Sequence, residues 1–96
     1  MNVHGFQVSA AAIDAAWEYM RTGRTFDCKA LAKVIGRHFP FSKATMSREG
    51  HGTVCHDAAH RLMREARTDL ELVHRGFRTE HHHYRWRTRP QQLEPR

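Results

Sequence analysis

Histidine and arginine supply most of the chemistry open to this chain. Nine of its 96 residues are histidine, and 16 Lys and Arg stand against 10 Asp and Glu, a formal charge of +6. His56, His60, Arg64 and Arg67 are spaced i, i+4, i+8 and i+11, so on an α-helix they form one ridge. Such a ridge offers donors to phosphate oxygens and to the edge of guanine, for which the planar guanidinium is well suited. The His56–His60 spacing also lets two imidazoles share a transition metal on one helical face, with His51, His74 or the 81–83 run able to add a ligand. No cysteine or carboxylate completes a known metal spacing. The expectation is therefore no metal and no cofactor, with His56 and His60 the alternative metal pair. Imidazoles with an ordinary pKa of about 6.5 would instead gain charge below neutrality and tighten a grip on a polyanion.

Catalysis is not expected. The chain has no glycine loop of the kind that cradles phosphates and no paired carboxylates at helical or strand spacing. Cys55 adjoins His56, but neighbours on a helix point about 100° apart and make no dyad. Cys28 and Cys55 match no redox motif and read as reduced core thiols.

Short elements must position these side chains. Residues 3–8 alternate and suggest a leading strand. Ser9 is a candidate N-cap for a helix over 10–21, where Ile13, Ala16, Trp17 and Met20 make one apolar face and Gly23 supplies the stop. Arg24, Thr25 and Phe26 form a connector with strand character. Asp27 caps a helix over 28–35, with Leu31, Val34 and Ile35 inward and Gly36 ending it. Pro40 breaks the chain, Ser42 caps a short helical turn over 43–49, and Gly50, His51 and Gly52 form a flexible break. The main helix then runs over 52–67. Val54, Ala58, Leu62 and Ala66 make its core stripe, and Asp57–Arg61 is an expected i, i+4 ion pair worth a few tenths of a kcal/mol. Leu70, Leu72 and His74 alternate with polar residues, as do Tyr84 and Trp86, which predicts a two-stranded ribbon with a polar tip. Leu31, Val34, Leu62, Trp17 and Trp86 are the expected core.

This length suits one domain, residues 1–88, with Pro90 and Pro95 marking a flexible tail over 89–96. The positive charge gathers late: residues 74–96 hold Arg75, Arg78, Arg85, Arg87, Arg89 and Arg96 against Glu80 and Glu94. A basic balance points first to nucleic acid. No apolar run has the length of a membrane span, and the N-terminal stretch lacks the basic start and unbroken apolar core of an export signal. The expected location is cytoplasmic, without membrane contact.

The order helix, helix, helix, hairpin resembles the winged helix-turn-helix superfamily across residues 8–88. It is mainly α with a small β-hairpin: three or four helices plus a C-terminal two-stranded wing. The resemblance implies sequence-specific binding of double-stranded DNA by a small transcriptional regulator of phage or mobile-element type. It implies a groove-reading helix over 52–67, through His56, His60, Arg64 and Arg67, and a wing that clamps the backbone through Arg75 and Arg78. The chain departs from the pattern at 37–49, since the turn of a helix-turn-helix is normally about 3–4 residues. Either the turn carries an insertion, or 43–49 is itself the reading helix and 52–67 is scaffold. Lys43, Thr45, Ser47 and Arg48 are candidate contacts under both arrangements. A homodimer would lengthen the DNA site. The rival function is a protein-docking adaptor or inhibitor acting on a nucleic-acid-processing complex, with Phe39 and Phe41 meeting the partner unless their loop folds back on the core.

Overall fold

His4 and Gly5 both take positive φ, 52° and 83°, the geometry of a two-residue type I′ hairpin turn. The leading segment is therefore two short strands rather than one: β1 (Asn2–Val3) pairs antiparallel with β2 (Phe6–Gln7). The structure, a computed structural model, describes residues 1–77 and 81–87. These form three helices and two small antiparallel two-stranded sheets. The expected tail, 89–96, and the ribbon tip at 78–80 lie outside the described residues. No helix among them is long and apolar enough to cross a membrane.

Helix α1 (Ala10–Arg21) starts on Ser9, whose Oγ accepts from the Ala12 amide, and Gly23 at φ 85° ends it as expected. The Ser9 hydroxyl also donates to the His38 carbonyl at 3.0 Å, joining the start of α1 to the end of α2. Helix α2 (Cys28–His38) is capped by Asp27, whose Oδ1 accepts from Ala30 N at 2.8 Å. It runs past Gly36, against expectation. Gly36 keeps helical geometry because its bare face is where α2 meets the next helix: a Cβ there would sit 3.6 Å from His51 and 3.7 Å from Cys55. Termination falls instead to Pro40, which holds Phe39 outside helical geometry.

Helix α3 (Arg48–Glu65) corrects the expected layout most. Of the turn expected over 43–49 only its first part forms, with Thr45 N and Met46 N donating to the Ser42 carbonyl at 3.2 Å; Arg48 and Glu49 belong to α3, and the chain does not break at Gly50, His51 and Gly52. Ser47 is the N-cap and accepts from Gly50 N at 3.0 Å. Two glycines in a helix cost about 0.8–1.0 kcal/mol each relative to alanine. His51 offsets that cost, donating from Nε2 to the Phe39 carbonyl and stacking on the Phe39 ring at 5.6 Å. The stretch between α2 and α3 thus shrinks to 39–47. The helix stops at Glu65, so Arg67 lies just past it. The core stripe is as expected, with Val54, Cys55, Ala58, Ala59 and Leu62 buried.

Two backbone hydrogen bonds attach the C-terminal ribbon. Strand β3 (Leu70–His74) pairs antiparallel with β4 (His83–Trp86), with a bulge between Leu72 and His74. Phe26, between α1 and α2, exchanges N–H···O bonds of 2.9 and 2.8 Å with Tyr84, so the expected strand character there is a single bridge. Trp86 meets Trp17 edge-on at 6.3 Å, with the Arg21 guanidinium over both rings. Both tryptophans are only half-buried, while Leu31, Val34 and Leu62 are fully inside.

The glycine geometry gives a direct check. Gly52 lies inside α3, with open space where the Cβ of a larger residue would stand. Gly52→Ala should raise the unfolding free energy by roughly 0.5–1 kcal/mol, seen as a higher urea midpoint. A lowered midpoint would mean that the chain leaves helical geometry at this position.

Candidate functional site

The outward face of α3 divides into two ends. Its length, 18 residues, spans about 27 Å at 1.5 Å per residue. At the N-terminal end, Lys43 and Thr45 lie in an exposed turn, Ser47 is the cap and Arg48 opens the helix. Most of these groups are occupied. The Thr45 hydroxyl donates to the Ser42 carbonyl, the Ser47 hydroxyl holds Gly50 N, and the Arg48 guanidinium lies 4.5 Å above the Phe41 ring. Phe39 and Phe41 are half-buried around His51, at 5.6 and 5.9 Å, so this loop folds back rather than forming an open patch.

At the C-terminal end the ridge meets the ribbon. The cleft between them is lined by His60, Arg64, Arg67, His81 and His82, over an apolar floor that includes Leu70 and Tyr84, with no carboxylate among the described lining residues. Among the described residues the three ion pairs are His4–Asp57, His83–Asp27 and Arg85–Glu71. None involves Arg64, Arg67 or Arg75, all of which are exposed. Arg67 folds back, however, and donates from Nη1 to the Arg64 carbonyl at 3.1 Å, where a cation complements the helix C-terminus. Arg75 follows β3 on the ribbon. Arg78 lies outside the described residues. The expected Asp57–Arg61 pair does not form: Asp57 pairs with His4, and Arg61 donates to the Asn2 carbonyl at 2.9 Å. Both partners are drawn to the β1–β2 hairpin on the flank of α3.

The two ridge histidines turn toward each other. Nε2 of His60 is 3.2 Å from Nε2 of His56, and the Cys28 sulfur, at the start of α2, is 3.8 Å from that same His56 nitrogen. The His81 ring approaches His56 to 5.8 Å.

No known protein family, curated protein or solved structure matches this chain.

The electrostatics of this cluster follow from its own surroundings. Burial pushes the Cys28 thiol up to about 11, and the charges of Asp27 and Asp57 add to the shift. Burial also raises Cys55. His60 is lowered, first by burial and then by His56, so it stays neutral to lower pH than an ordinary imidazole. Asp57 is held below the usual carboxylate range by its hydrogen bond from His4. Spacing along the chain could not reveal the group: His56 and His60 share a helix face, but Cys28 joins them only because α2 packs against α3.

With its thiol pushed up in this way, Cys28 carries roughly a hundredfold less thiolate at pH 8 than an unperturbed cysteine. Alkylation mapped by mass spectrometry in chelator-treated protein should therefore be slow at Cys28 and accelerate steadily with pH above 8. Rapid labelling at pH 7 would mean that His56 holds the thiol proton.

Proposed function

We propose that this chain is a winged-helix domain that binds double-stranded DNA, with α3 toward the groove and the β3–β4 ribbon beside the backbone. The observation that carries the reading is the cleft between α3 and the ribbon, which has no carboxylate among its described lining residues. Arg64 and Arg67 from the end of α3 line it together with His81 and His82 from the ribbon side, and Arg64 and Arg75 stand exposed outside any ion pair among the described residues. The strand order also supports it: a bridge from the α1–α2 connector to the second ribbon strand holds the ribbon against the helices. With no separate helix over 43–49, α3 is the element left to read DNA.

The contacts divide by chemistry. Arg64, on the outward face, is the candidate for a base edge or a phosphate, and Arg75 for a phosphate. His56 and His60 face each other; His60 stays exposed and lines the cleft, whereas His56 is half-buried and has the smaller part in contact with DNA. A role in transcription would follow from occupancy of a site and needs no chemistry from the protein.

A protein partner is the second reading, and the observations that favour it lie on the ribbon rather than at Phe39 and Phe41. Leu72, Val73 and Phe77 are 44, 43 and 69% exposed there, and exposed apolar side chains are the material of docking surfaces. Such docking would tolerate salt.

Binding to random duplex, measured between 50 and 200 mM salt, separates the two. DNA binding predicts affinity falling steeply with salt, with the slope reduced by about one in each of Arg64→Ala and Arg75→Ala. At a preferred sequence Arg64→Ala should cost about 1–3 kcal/mol. Absence of retention on duplex at low salt would rule the DNA reading out.

A further inference from the structure

The cluster of Cys28, His56 and His60 has the composition and spacing of a metal site. The three ligand atoms all lie within 4.8 Å of one another. A tetrahedral ion with bonds of about 2.0–2.1 Å to nitrogen and about 2.3 Å to sulfur sets N···N edges of about 3.3 Å and S···N edges of about 3.6 Å. The His56–His60 edge is 3.2 Å and the Cys28–His56 edge 3.8 Å. Two edges of the triangle thus already have the dimensions of a coordination sphere.

The fold holds these ligands in place without an ion. His56 and His60 are one turn apart on α3, where the burial of Ala58, Ala59 and Leu62 fixes the helix rotation. Cys28 is the first residue of α2, held by the Asp27 cap on one side and the Phe26–Tyr84 bridge just before it. His81 precedes β4 and lines the same cleft as Cys28 and His60.

We infer that Cys28, His56 and His60 bind one divalent ion of the zinc class, with His81 as the fourth ligand. A thiolate with imidazoles selects a borderline-soft ion over magnesium or calcium. Asp27 and Asp57 place negative potential at the sulfur, while Arg64 adds positive potential at His60, so the coordinate bonds rather than the field must carry the affinity. The bound ion supplies what the thiol lacks, because coordination releases its proton to solvent. The competing explanation of the short His56–His60 distance is a single shared proton between two imidazoles. The site would tie the segment leading into β4 to the middle of α3. It stands independently of DNA binding, since none of its geometry draws on that reading.

The test is a cobalt(II) titration of the reduced, untagged, chelator-stripped full chain. One ion per chain is expected, with a thiolate-to-cobalt charge-transfer band in the near ultraviolet and the strong visible bands of tetrahedral cobalt, both displaced by zinc. Cys28→Ser should abolish the charge-transfer band. His60 is exposed, so His60→Gln leaves the fold intact and decides the matter should Cys28→Ser not fold. It should weaken binding by more than the roughly 10–100-fold that loss of an outer-shell partner causes. His74→Gln should change nothing. The proposal is overturned if no charge-transfer band appears, if the band survives Cys28→Ser, or if His60→Gln binds as tightly as the parent. It is also overturned if binding depends on the 81–83 run alone. Unchanged affinity in His81→Gln would overturn the assignment of the fourth ligand.

Discussion

Two hydrogen bonds between Phe26 and Tyr84 set the relation between the helices and the ribbon. A two-stranded ribbon of this length is marginal by itself, and most of β3 and β4 stands clear of the core. The exchange with Phe26 extends the pairing by one bridge, and neighbouring contacts reinforce it. Phe26 is buried beneath Tyr19, Trp86 meets Trp17, and His83 reaches Asp27. Everything of functional interest lies next to this junction. Cys28 begins α2 two residues after Phe26, and His81 to His83 enter β4 just before Tyr84. Losing the bridge would free the ribbon to swing, and the cleft beside Arg64 would lose one wall.

The packing of α2 on α3 is the second determinant. Gly36 lies in this contact, where a Cβ would meet His51 and Cys55 at ordinary van der Waals distance, and the alanine-rich stripe of α3 lets the helices lie near one another. That rotation sends Arg64 outward and turns His56 and His60 toward Cys28. One helix face thus serves two chemistries, with imidazoles near its middle and guanidinium at its end. A metal in the first would stiffen the wall of the second.

Periodicity along the chain is a reliable guide where a stripe or a cap decides the outcome. The core stripes of α2 and α3, the caps at Ser9 and Asp27 and the ribbon all follow from local pattern, whereas α1 buries Ala12, Ala16 and Met20 and leaves Ile13 and Trp17 half-buried. Glycine misleads in both directions. Gly23 ends a helix, whereas Gly36, Gly50 and Gly52 lie inside helices because tertiary contacts of His51 and Cys55 outweigh local preference. The ion pair expected between Asp57 and Arg61 is lost to a hairpin whose turn, His4–Gly5, packs onto α3 from far away in sequence. The metal-site geometry is legible only in half. The i, i+4 histidines are visible in sequence, but Cys28 is brought in by helix packing that no spacing rule encodes.

In the proposed function α3 and the ribbon form one composite surface for DNA at the C-terminal end of the helix. Backbone amide shifts followed by NMR during titration with a short duplex at low salt test it most directly. The predicted result is a contiguous set of perturbed amides on the last two turns of α3 and on the residues around Arg75, with the turn over 43–46 unchanged. Perturbation centred on that turn, or confined to the ribbon with α3 silent, would contradict it.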